Sequence, residues 1–154
     1  MRFFLMQRNH PVAVIEIAEK TGDIIDVAEV LSAQRIPLGA KHSDGSFDVL
    51  SLRKWWAGRG IPANRSGLER ALETLHIPYA ELLLVKCSGL SLSDQYWVTP
   101  CDAPQNWRDV NFYENDFSDD VGRALFGEGV LSAQPDLCSP CNTSDGFLQK
   151  RWRI

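Results

Sequence analysis

Cys138 and Cys141, separated by Ser139 and Pro140, are the residues of this chain whose type and spacing most directly imply chemistry. A turn between two thiolates at that spacing points both sulfurs the same way, so the pair can grip one tetrahedral metal ion. Cys87 and Cys101 would complete a four-thiolate site, and His42 or His76 would replace one of them. The ligand set would suit a structural zinc, although only half of a doubled C-x-x-C pattern is present. Buried or idle thiols without metal are the commoner meaning of such residues. Immediately downstream, Asn142 to Gly146 is a polar turn leading into a strand-like run, Phe147 to Ile154. A glycine-bearing turn that feeds a strand is how a phosphate-covering loop begins. Nothing after it would hold a nucleotide.

Other catalytic patterns are missing. The chain has no Walker loop, dinucleotide fingerprint, His-Glu-x-x-His or nucleophile elbow. His10, His42 and His76 each adjoin a turn or helix end, where a lone histidine is ordinarily a surface polar group. The carboxylates Glu114 with Asp116, and Asp119 with Asp120, suit a helix start, where acids interact with the dipole, better than an acid–base pair. Catalysis and nucleotide binding are therefore not expected.

Aromatic and cationic residues offer a different chemistry. Trp55-Trp56-Ala-Gly-Arg59 and Ile61-Pro-Ala-Asn-Arg65 place Trp and Arg side by side, the two residue types that dominate protein–protein binding energy. The candidate partner-binding residues are Trp55, Trp56, Arg59 and Arg65, with Asp109, Asp116, Asp119 and Asp120 from an acidic stretch. The same pattern suits a helix whose Trp side chains face the core, at least for one of them. Base stacking would need exposed rings in a basic groove, and the chain's net charge of -4 argues against that. Direct nucleic-acid binding is not expected.

Composition is that of a globular domain, with 44% hydrophobic and 23% charged residues in 154. A chain of this length forms a single compact domain, with a possible division into a strand meander, 1–45, and a mixed portion, 46–154. No apolar run approaches the ~18–20 residues of a membrane span. The opening residues are too short for a signal peptide. A cytoplasmic location follows, in which the four cysteines stay reduced.

These residues must be positioned by an α+β fold: an N-terminal three-stranded antiparallel meander, a helical middle and short C-terminal strands. Phe3 to Gln7, Val12 to Ile17 and Ile24 to Val30 are β-branched or aromatic runs separated by turn-like segments. Ile36 to Gly45 is a connection. Val49, Leu52, Trp55 and Trp56 share a helical face that Gly58-Arg-Gly60 terminates. Ser66 and Glu69 have capping-box spacing, and Leu68, Ala71, Leu72 and Leu75 give a core-facing stripe. Pro78 precedes a short helix, Ala80 to Lys86. Tyr96 to Thr99 reads as a strand and Pro100 to Phe117 as irregular. A helix from Ser118 through Phe126, a loop from Gly127 to Ser144, and the strand Phe147 to Ile154 complete the chain.

Several segments resemble the N-terminal region of HipA-like proteins of Firmicutes and their mobile elements. They are the Trp-Trp-x-Gly-Arg-x-Ile-Pro-Ala-x-Arg-x-Gly-Leu run within Leu50 to Leu68, Gly89 to Trp97, Trp107 with Val110-Asn-Phe112, Phe117-Ser118, Asn142 to Gly146 and Lys150-Arg-Trp152. The resemblance implies a subdomain that precedes the nucleotide-binding lobe of a toxin–antitoxin kinase. The Lys and the two Asp residues that such a kinase needs would follow Ile154. The function expected is a non-catalytic protein-binding module, a phage- or mobile-element-encoded regulator or inhibitor. Its sharpest form is an inhibitor of a nucleic-acid enzyme, such as an anti-CRISPR protein. The alternative is the regulatory part of a split HipA-like kinase.

Overall fold

A computed structural model describes residues 1–60, 67–91 and 94–115. Three β-rich runs form β1 (Arg2–Gln7), β2 (His10–Ile17) and β3 (Ile24–Val30). A later strand, β4 (Tyr96–Pro100), returns to pair with β1. Among the described residues the result is one antiparallel sheet in the order β3-β2-β1-β4. The mixed α+β architecture, with its N-terminal meander, is as the sequence implies.

Side-chain alternation gives the sheet two buried faces. Phe3 and Leu5 enter one core with Ile15, Ile17, Ile24 and Val98. Met6 and its cross-strand partner Trp97 enter a second, with Leu90, Trp107 and Phe112. The first core is closed by α1 (Val49–Arg59) and α3 (Ala80–Lys86), through Leu52, Trp56 and Leu84. The second is closed by α4 (Trp107–Val110), a single turn inside the segment expected to be irregular. Asn106 nucleates that turn by accepting from the Arg108 N–H at 3.1 Å.

Strand β3 departs from simple alternation. Its pairing with β2 slips by one residue twice, between Val14 and Ile15 and again between Glu16 and Ile17. Each slip adds one residue to β3, Ala28 in the first case and Ile25 in the second. Ile24, Val27 and Val30 therefore share a face at a spacing of three, while Asp26 and Glu29 point the other way.

Helix ends show which local signals win. Asp48 caps α1 by accepting from Ser51 N–H at 2.7 Å, and the Ser51 hydroxyl accepts from Asp48 N–H at 2.9 Å, closing a reciprocal box. Helix α2 (Leu68–Leu75) begins after Gly67, whose φ of 84° places it in the left-handed region, and no side chain caps it. The N-cap is Gly67, so Glu69 is the second helical residue and not the third that the expected Ser66–Glu69 box needs; Ser66 itself lies outside the described residues. His76, also left-handed at φ 58°, ends α2, and Ile77 N–H returns to Leu72 O at 2.9 Å.

Candidate functional site

Arg59 organises the region that holds three of the four described candidate partner-binding residues, Trp55, Trp56 and Arg59 itself. It follows Leu52 and Trp56 in the i, i+4, i+7 positions of the inward stripe of α1, so the helix carries its guanidinium into the protein. The side chain is only 6% exposed. Nη1 donates to Asp94 Oδ2 at 2.6 Å and Nη2 to Asp94 Oδ1 at 3.1 Å. Nη2 also donates to the carbonyls of Gly89, at 2.6 Å, and Tyr96, at 3.2 Å. The guanidinium carbon lies 4.9 Å from the centre of the Trp55 ring, a cation–π contact. Nε has no partner.

This cluster closes the outer edge of β4. Tyr96 and Val98 direct their backbone away from β1, and three of those outward groups have partners among the described residues. Tyr96 N–H donates to Asp94 Oδ1 at 3.0 Å, Tyr96 O accepts from Arg59, and Val98 N–H donates to Ser88 O at 2.9 Å. An uncovered sheet edge invites pairing with another chain; here one ion pair and one carbonyl occupy it. Burial, reinforced by the nearby Asp94 charge, pushes the Tyr96 hydroxyl above its ordinary pKa. That hydroxyl stays protonated and donates to Arg35 O at 2.6 Å.

The two tryptophans have different surroundings. Trp56 is 1% exposed, and its indole donates to Gly22 O at 2.9 Å. Trp55 is half-buried between the Arg59 guanidinium and an edge-on contact with Tyr96 at 5.7 Å. Trp56 and Arg59, expected on a binding surface, are thus interior residues, brought together with Trp55 by the turn spacing of α1. Asp109 is exposed on α4, apart from this cluster. Arg65, Asp116, Asp119 and Asp120 lie outside the described residues.

Of the proposed zinc ligands, Cys87 is buried and Cys101 partly so. Burial raises the pKa of the Cys101 thiol, which disfavours the thiolate that metal binding requires. Among the described residues no three His, Cys, Asp or Glu side chains converge as a metal site would need. Cys138 and Cys141 lie outside the described residues. His42 is exposed beside Asp48, 3.3 Å away, and His76 is taken up by the end of α2.

A cleft of about 630 Å³ opens where β1, β2, α3 and the segment after β4 meet. Phe3, Ile17, Leu82 and Val85 give it apolar walls, and Glu19 and Lys86 stand at its exposed rim. Its position is set by a close approach. A Cβ on Gly22, at φ 80°, would lie 2.5 Å from the Glu81 and Leu82 backbone, so only glycine lets the β2–β3 turn abut α3. Nothing in the sequence pattern marks this cleft, because its walls come from four separated segments.

No family model matches this chain, and no curated protein or solved structure is similar to it. Among the described residues no helix is long and apolar enough to cross a membrane. Fold and site together define a small α+β module with an ion pair covering the β4 sheet edge and an open, mostly apolar cleft.

Proposed function

We propose that this chain is a non-catalytic protein-binding module, a phage- or mobile-element-encoded regulator or inhibitor that works in the cytoplasm. The observation that carries this reading is the cleft. Its apolar walls and charged rim have the composition of a protein-docking surface, an apolar centre within a polar border. The charged group with the most elaborate surroundings, Arg59, is engaged in holding the fold together. In its sharpest form the proposal makes the target a nucleic-acid enzyme, as for an anti-CRISPR protein, with contact through protein surfaces. Any zinc is structural in this account, and no nucleotide takes part.

The experiment is co-purification of the tagged chain from bacterial cytosol, compared with Val85→Arg in the cleft and Leu38→Arg, which lies outside its lining. A stoichiometric partner that Val85→Arg loses and Leu38→Arg keeps is the expected result. Equal recovery by all three proteins would count against the cleft. For the sharpest form, an RNA-guided nuclease interference assay should show plaquing restored by the wild-type chain and not by Val85→Arg.

A second reading is the regulatory part of a split HipA-like kinase. The observation that favours it is that two of the segments carrying the resemblance meet. Arg59 of the first bonds to both Gly89 and Asp94 of the second. Co-expression with a HipA-like catalytic lobe lacking its own N-terminal region tests it. A change in autophosphorylation supports the reading, and an unaltered rate removes it.

A further inference from the structure

The cleft carries two charged groups that have no ion-pair partner among the described residues, Glu19, beyond the end of β2, and Lys86, the last residue of α3. Both line the cleft and both are exposed, so opposite charges stand on separate segments of a largely apolar lining. The Ser88 hydroxyl and the Gln105 amide add neutral polar groups to the same lining. The walls are anchored in place. Gly22 seats α3, Gln105 N–H donates to Thr99 Oγ1 at 2.8 Å, and the Met1 amine is held by Glu16 at 2.7 Å and Ile17 O at 3.1 Å.

We propose that this cleft receives an extended segment of the partner protein, an apolar anchor of one or two residues flanked by one basic and one acidic side chain. This deepens, and rests on, the binding role proposed above. The volume lies within the ~300–1,000 Å³ of pockets that enclose whole ligands, room for several side chains rather than one. Apolar lining, neutral hydrogen-bonding groups and both signs of charge match the parts of a peptide. The basic residue lies toward Glu19 and the acidic one toward Lys86. A second copy related by a two-fold axis through the cleft would set this concave surface against itself and leave it unfilled.

The test is NMR titration of the 15N-labelled chain with three capped tetrapeptides, Lys-Leu-Phe-Asp, Asp-Leu-Phe-Asp and Lys-Leu-Phe-Lys. The mixed peptide is expected to bind most tightly and to shift the amides of Phe3, Ile17 and Val85. Lys86→Glu should turn the preference to the all-basic peptide and Glu19→Lys to the all-acidic one. Each preference should be at least about twofold, as exposed charge pairs allow. Ala103→Trp, at an exposed position of the lining, should block all three peptides without touching the core. The proposal is overturned if no peptide moves these amides, if indole moves them and the peptides do not, or if the charge variants leave the preference unchanged. The binding role is judged separately. It stands if Val85→Arg still removes the co-purified partner when the peptides fail, and it falls if no stoichiometric partner is recovered.

Discussion

Arg59 and Asp94, 35 residues apart, form a two-pronged ion pair at 2.6 and 3.1 Å across the outer edge of β4. Arg59 is buried and Asp94 is 36% exposed, so the two ends of the pair carry unequal stakes. Removing the arginine strips three acceptors of a donor inside the protein. Removing the aspartate leaves a guanidinium that still holds the Gly89 and Tyr96 carbonyls. Breaking a buried pair costs about 3–5 kcal/mol, and Arg59→Ala is expected near that range in denaturant unfolding at neutral pH. Asp94→Asn should cost about 1–2 kcal/mol, lowered by solvent screening on its side. Arg59→Lys should fall between them, because one ammonium cannot reproduce the planar fork. A loss below about 1 kcal/mol for Arg59→Ala would remove this pair from the account of the fold.

Three glycines should respond differently to alanine. At Gly89, φ is 63° and a Cβ would lie 2.8 Å from the Trp56 ring; at Gly22 it would meet α3 backbone at 2.5 Å. Gly58 lies within α1 with nothing within 4 Å of the added carbon. Gly58→Ala is expected to raise stability by about 0.5–1 kcal/mol through helix propensity. Gly89→Ala should lower it by about 1–3 kcal/mol. Gly22→Ala should cost more than Gly89→Ala, since backbone yields less readily than a ring. Thermal unfolding of the three variants checks the order.

The α1 cap should weaken in acid. The Asp48 pKa is lowered, first by the Ser51 N–H and then by His42, because both favour the carboxylate. A depressed folded pKa contributes stability that is complete above the ordinary carboxylate value of about 4 and is lost as pH falls through the folded value. The Ser51 amide resonance should report that titration below pH 4. Asp48→Asn keeps a capping oxygen without the charge and should abolish it.

Thiol chemistry separates the four cysteines. On a Cys138→Ser, Cys141→Ser background, Cys101 should react with a disulfide reagent at pH 8 more slowly than a free thiol, since burial favours its neutral form. Cys87 should react only as the protein unfolds. If the zinc proposal holds, wild-type protein purified without added metal carries about one equivalent of zinc, which that background abolishes. Less than about a tenth of an equivalent in the wild type would end the proposal.

Much of the scaffold was legible in the sequence. The limits of β3 and α3 coincide with the expected runs, because β-branched residues bounded by turns, and a short apolar helix after a proline, are local signals. The phase of β3 was not legible, since two bulges convert a spacing of two into three. Nor was the place of β4 beside β1, which depends on pairing between residues some 90 positions apart. The inward stripe of Leu52, Trp56 and Arg59 was present in the spacing, but an arginine on it looks like a surface residue until Asp94 is found. The cleft left no pattern, because Phe3, Ile17, Val85 and Gln105 become neighbours only on folding.

The most direct measurement of the binding role is site-specific photo-crosslinking in bacterial cells, with benzoylphenylalanine placed at Val85 in the cleft and, separately, at Leu38 outside it. A single discrete adduct from position 85, matching the co-purified partner and absent from position 38, is the result expected. No adduct from position 85, or the same adducts from both positions, would contradict it.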